Sequence, residues 1–167
     1  ELRQRAALSE EGDLTCGTRS VDASAADGVP VTSKTEELEK IASQIHACRI
    51  CPLGLSRLNA VPGVGSADAQ VMFVGEGPGF QEDHKGEPFV GPSGRLLDKI
   101  LESIGLSRQT VYIANIVKCH PMKDPSDPEA RANDRPPSPE EIKACRGYLD
   151  EQIRIIAPSV IVTLGSV

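Results

Sequence analysis

The sequence contains no tryptophan, and only two tyrosines and three phenylalanines in 167 residues. Aromatic bulk therefore does not build this core, and any phenylalanine held in a turn calls for its own explanation. No apolar run approaches the ~20 residues that a membrane-spanning helix requires. The N-terminal segment lacks the basic-then-apolar pattern of a secretory leader. Net positive charge is missing too. A formal charge of −6 argues against an extended basic surface for nucleic acid and leaves room only for a local patch with specific contacts. Five cysteines without a leader point to an intracellular, reducing compartment such as the cytoplasm, where thiols hold metal more often than they form disulfides.

What is present centres on Val71-Met72-Phe73-Val74 followed by Gly75-Glu76-Gly77-Pro78-Gly79. The first four residues read as a strand covered on both faces. The glycines and proline then force a sharp turn, and Gly77 and Gly79 let a ligand lie against the main chain. In open α/β sheets, ligands bind outside the carboxyl ends of strands. A Rossmann-type nucleotide site is not indicated, because the Gly-x-Gly-x-x-Gly fingerprint fails where Glu82 stands.

Residues 1–32 show no sustained periodicity and are expected to form a flexible tail, with Cys16 as a free thiol within it. A folded domain is expected over 33–167. Ser33-Lys34-Thr35-Glu36 has capping-box spacing, and Leu38, Ile41, Ile45 and Cys48 fall on one helical face. Residues 52–70 read as irregular, and Glu82, Asp83 and Glu87 as part of a polar loop. A helix over 93–104 is predicted to bury Leu96, Leu97, Ile100, Leu101 and Ile104. A second strand covers about 111–114, and a long proline-rich loop spans 120–137. Loops of that length are usually functional or disordered. Ser138-Pro139-Glu140-Glu141 opens another helix, and 160–165 is predicted to be a third buried strand. Alternating strands and helices predict a three-layer α/β sandwich on a mostly parallel sheet. The chain ends directly after a strand, so the domain is expected to be truncated at its C-terminus.

Cys48 and Cys51 have the two-residue spacing that lets both sulfurs reach one metal or cluster, while Cys119 follows the second strand and Cys145 lies early in the last helix. Packing of the first and last helices side by side would bring all four thiols together. Tetrahedral thiolate sites hold zinc or iron–sulfur. The spacing alone leaves both open, although the absence of a second short knuckle leans toward iron–sulfur.

Gly75-Glu76-Gly77-Pro78-Gly79, Glu82-Asp83, Pro88-Phe89-Val90-Gly91 and Asn115-Ile116-Val117-Lys118-Cys119, in that order, resemble the iron–sulfur uracil-DNA glycosylases of family 4. The resemblance covers about residues 35–167. It implies a [4Fe–4S] cluster on Cys48, Cys51, Cys119 and Cys145. It also implies a uracil pocket lined by Gly75, Glu76 and Gly77, with Phe89 stacking on the base and Asn115 reading its edge. The implied reaction is hydrolysis of the N-glycosidic bond of deoxyuridine in single- or double-stranded DNA by a monomeric base-excision repair enzyme. Glu76 is the first candidate for positioning the water, with Glu82 and Asp83 as further candidates. The alternative is a non-catalytic iron–sulfur module that binds DNA or serves a polymerase in recognising damage. Two departures stand out. The chain ends before the family's later histidine motif, and the loop between Cys119 and Cys145 is longer than the family's usual one.

Overall fold

The computed structural model describes residues 32–165. Nearly all of the tail expected over 1–32, Cys16 included, lies outside them. The first helix, α1 (Lys34–Ala47), starts on the expected capping box: Ser33 Oγ accepts from Glu36 N–H, and Glu36 Oε2 accepts from Ser33 N–H at 2.8 Å. Ile41 and Ile45 are its buried residues. The stretch read as irregular contains a short helix, α2 (Leu53–Ser56), and a two-residue strand, β1 (Val64–Gly65).

The centre of the sheet is β2 (Val71–Gly75), four of whose five residues are buried. A six-residue helix, α3 (Phe80–Lys85), follows where a polar loop was expected. Then come α4 (Pro92–Ser103), β3 (Tyr112–Asn115), α5 (Pro139–Ile156) and β4 (Val160–Thr163). The strand order is β1-β3-β2-β4, with β2 parallel to both β3 and β4 and only β1 antiparallel. The α/β architecture is as expected. Met72, Val74, Tyr112 and Ala114 pack with Leu149 and Ile156 of α5 on one face, while Phe73 and Ile113 pack with Leu97 and Leu101 of α4 on the other.

Two predicted burials are corrected. On α4 only Leu97 and Leu101 of the apolar stripe are buried, whereas Leu96, Ile100 and Ile104 are exposed. Five apolar positions span a wider arc than one sheet face can cover. The strand β4 is an edge, hydrogen-bonded to β2 alone, and Val160 and Ile161 are about half exposed. Among the described residues no helix is long and apolar enough to cross a membrane.

The connections fix where a ligand can sit. From β2 the chain crosses through α4 on one face to reach β3, and from β3 it returns through α5 on the other face to reach β4. The loops leaving β2 and β3 therefore diverge at the carboxyl end of the sheet, opening a crevice between them.

Candidate active site

Register puts Gly75 directly beside Asn115 at the ends of β2 and β3. The ladder continues past the strands, with Ile116 N–H donating to Gly75 O and Val117 N–H to Glu76 O. The glycine turn thus runs alongside the segment that carries Asn115 and Cys119. A Cβ on Gly75 would stand 2.5 Å from Asn115 Oδ1 and 2.5 Å from Phe89 Cζ. The two side chains converge over the one residue that has none. Asn115 is 2% exposed, and its Oδ1 has no hydrogen-bond partner. A buried amide oxygen without a donor is costly, and here it faces a cavity of about 830 Å³ lined by Glu76, Gly77, Phe89 and Asn115.

Phe89 is held in an unusual conformation. Its φ of 55° is rarely adopted by a non-glycine residue and stores strain. Three groups impose it. Glu82 Oε1 accepts from Val90 N–H and Gly91 N–H, both at 2.9 Å. Arg108 donates to the carbonyls of Pro88 and Phe89 and pairs with Asp98 at 2.6 Å. A side chain on Gly94 would collide with the Phe89 carbonyl. The scarcity of aromatics marked this phenylalanine, but nothing in the sequence pointed to Arg108.

The three acids singled out in the sequence have different surroundings. Glu76 lines the cavity, and no hydrogen bond engages its carboxylate among the described residues. Glu82 also borders the cavity, but it is bound to three backbone N–H groups, those of Gly79, Val90 and Gly91. Asp83 is fully buried, outside the cavity lining. Its oxygens accept from Leu58 N–H and Asn59 N–H, and its Oδ2 stands 3.6 Å from His120 Nδ1. On its other side His120 Nε2 lies 2.6 Å from Asp134 Oδ1. Burial opposes a charge on His120, but its two aspartates hold its pKa above the ordinary value.

The opposite wall comes from the 120–137 loop, through Pro121, Arg131, Ala132, Asp134, Arg135 and the paired prolines. The loop is folded. Met122 and Asp134 form a bridge, and the buried Asn133 side chain bonds Asp124 N–H and the carbonyls of Asp124 and Asp127.

The Uracil DNA glycosylase superfamily model matches residues 62–167, the stretch that supplies this pocket. The chain belongs to that superfamily. It is 48% identical over 130 residues to a Type-4 uracil-DNA glycosylase of Archaeoglobus fulgidus, an alignment covering 78% of this chain and 60% of that protein. It is 45% identical over 134 residues to a Type-4 uracil-DNA glycosylase of Thermotoga maritima, covering 80% and 65%. A 33% identity over 115 residues links it to a DNA polymerase of Bacillus phage SP01, covering 67% of this chain and 11% of that protein. The chain spans about three-fifths of the length of the Type-4 relatives.

The four cysteines named in the sequence are a second candidate site of this superfamily member. Cys119 and Cys145 are buried with Leu53 and Val117, and Cys51 packs against them. Cys48 is near enough to Cys145 to raise its pKa. Burial pushes Cys119 up to about 11 and raises Cys145 as well, so both stay protonated until a metal displaces the protons. Among the described residues no three His, Cys, Asp or Glu side chains close on a single-ion site. Polar hydrogens do point at the sulfurs. Arg57 donates to Cys119 Sγ at 2.8 Å and Lys118 N–H to Cys145 Sγ at 3.3 Å. Arg57 also bonds the carbonyls of Ile45, His46 and Cys48, tying the end of α1 to Cys119. Four thiols, two of them accepting N–H···S bonds beside Leu53 and Val117, suit a thiolate-bound cluster. Arg57 lay in the stretch read as irregular, where no spacing rule marks it.

Pocket and cysteine site share one segment. The ammonium of Lys118, fully buried and pulled down to about 7 by that burial, donates to Asn115 O and Gln152 Oε1 at 2.7 Å each.

Proposed function

We propose that this protein hydrolyses the N-glycosidic bond of deoxyuridine in DNA and releases uracil for base-excision repair. The observation that carries this reading is the unpartnered, buried Asn115 Oδ1 beside Phe89 and Gly75. Uracil would enter as a flipped base and stack on Phe89. Its N3–H would donate to Asn115 Oδ1, and Asn115 Nδ2 would donate to O4. Cytosine offers the reverse pattern, an amino donor and a bare ring nitrogen, and would leave both amide atoms of Asn115 mismatched.

The transition state gathers positive charge on the sugar and negative charge on the departing base. Fixed donors at the base lower its energy without reorganising. Water adds to C1′ as the bond to N1 breaks, the base leaves with the bonding electrons, and the proton that the water gives up balances the charge of the departing uracil anion. Glu76 orients that water, because its carboxylate is free while those of Glu82 and Asp83 are bound to backbone. Glu82 and Asp83 then act as positioning residues for the 88–91 loop and the 57–59 segment.

Cys48, Cys51, Cys119 and Cys145 would hold a [4Fe–4S] cluster, a reading supported by the N–H donors aimed at Cys119 and Cys145 and by the family resemblance of the sequence. What it supplies is a cross-link joining α1, the end of β3 and α5. The similarity to a phage polymerase supports a second reading, a damage-recognition module without turnover. Incubation with uracil-containing single- and double-stranded oligonucleotides separates the two. The hydrolytic reading predicts free uracil and abasic sites, and absence of both overturns it.

A further inference from the structure

Five charged residues line the cavity: Glu76, Glu82, Arg131, Asp134 and Arg135. Three are engaged inside the protein. Glu82 binds the backbone N–H groups of Gly79, Val90 and Gly91. Asp134 bonds His120 and accepts from Phe80 N–H. Arg135 forms two bonds to Glu141, at 2.7 and 2.9 Å, and a third to the Met122 carbonyl. That leaves one acid and one cation. Glu76 stands on the strand side, and Arg131 on the loop side takes part in none of the ion pairs among the described residues.

The backbone beside Arg131 is built to hold it there. Ala132 has a φ of 60°, so two residues on the cavity wall, Phe89 and Ala132, keep a strained left-handed conformation. Lys123 stabilises that turn, its backbone N–H donating to Asn133 O at 2.8 Å and its ammonium to Ala132 O at 3.2 Å. The buried Asn133 side chain ties the same turn to Asp124 and Asp127 across the loop. The tip is therefore rigid although Arg131 itself is exposed. A nucleotide in this cavity brings a base, a sugar and flanking phosphates. Phe89 and Asn115 account for the base and Glu76 for the sugar. In a chain of net charge −6, a phosphate placed here needs a local cation.

We infer that Arg131, presented by the 120–137 loop, grips a backbone phosphate next to the flipped nucleotide. The ligand's identity rests on the glycosylase reading, whereas the phosphate contact is a matter of binding alone. A guanidinium suits this task because its donors match phosphate oxygens in pairs.

The test is a salt titration of binding to a labelled single-stranded oligonucleotide carrying one uracil, for wild type, Arg131→Gln, Arg131→Lys and Lys99→Gln. Lys99 is an exposed cation on α4, outside the cavity lining. Arg131→Gln is expected to bind about 5–10-fold more weakly at low salt and to lower the log–log salt slope by ~0.7, one phosphate's share on a single strand. Arg131→Lys restores the slope and Lys99→Gln keeps it. In turnover the loss for Arg131→Gln falls on KM, and affinity for free uracil is unchanged. A wild-type slope in Arg131→Gln overturns the assignment. Wild type that binds DNA without releasing uracil overturns the glycosylase reading and leaves the Arg131 contact standing. Wild type that binds no DNA overturns both.

Discussion

A methyl group at Gly75 would fall 2.5 Å from both the Asn115 oxygen and the Phe89 ring, closer than packed atoms approach. Gly75→Ala is therefore expected to fold at a cost of about 1–3 kcal/mol and to lose uracil binding at least tenfold. A calorimetric titration with free uracil checks this, and undiminished affinity would show that the base lies elsewhere. Gly75, Phe89 and Asn115 were grouped through the family resemblance, whereas the residues by themselves marked only a glycine turn and a scarce aromatic. The roles of the acids were not readable. Glu82 answers N–H groups eight and nine residues downstream, and Asp83 answers those of Leu58 and Asn59. Only the folded loops bring those partners within reach, so sequence could place Glu76 first but could not remove Glu82 and Asp83, whose carboxylates the structure shows bound to backbone.

Among the elements, α1 and α5 begin on capping boxes that the sequence spells out, at Ser33 and Ser138. The helix α3 was missed because its ends are glycines, Gly79 before it and the left-handed Gly86 (φ 73°) after it, in a stretch that reads as loop. The 120–137 loop read as functional or disordered, and it is ordered by Asn133, Arg135 and Glu141, whose partners no periodicity reveals. Arg135 fastens the loop to the first turn of α5, and its bond to Glu141 holds that carboxyl below the usual carboxylate range. A lowered folded-state pKa stabilises the protein above the unfolded value of 4.5, and the contribution is lost as pH falls through the folded value. Glu141→Gln should accordingly cost about 1–3 kcal/mol at pH 7, with the gap to wild type closing below about pH 4. Melting curves between neutral and acid pH read this directly, and a gap independent of pH would refute the ion-pair account.

At the scale of the molecule, two candidate sites share the 115–119 segment, with Asn115 at the pocket and Cys119 among the cysteines. The sequence shows the adjacency directly, since Asn115 and Cys119 lie in one short run at the end of the second strand. The edge position of β4 was not legible, because the apolar run Val160–Val162 looks alike whether or not a neighbour covers it. Protein prepared without oxygen is expected to carry about four irons and four inorganic sulfides per chain. Cys119→Ser should lose the cluster and, through Lys118, loosen Asn115. Stoichiometric zinc in place of iron would refute the cluster assignment. The central claim is that a pocket built from Gly75, Phe89 and Asn115 selects uracil for hydrolysis. It is tested most directly by measuring base release from oligonucleotides containing uracil, thymine or cytosine, with wild type and Asn115→Asp side by side. Wild type should release uracil alone, and in Asn115→Asp the preference for uracil over cytosine should fall about 10–100-fold, the worth of one buried hydrogen-bonding pair. Uracil preference unchanged in Asn115→Asp, or no base released by wild type, would contradict it.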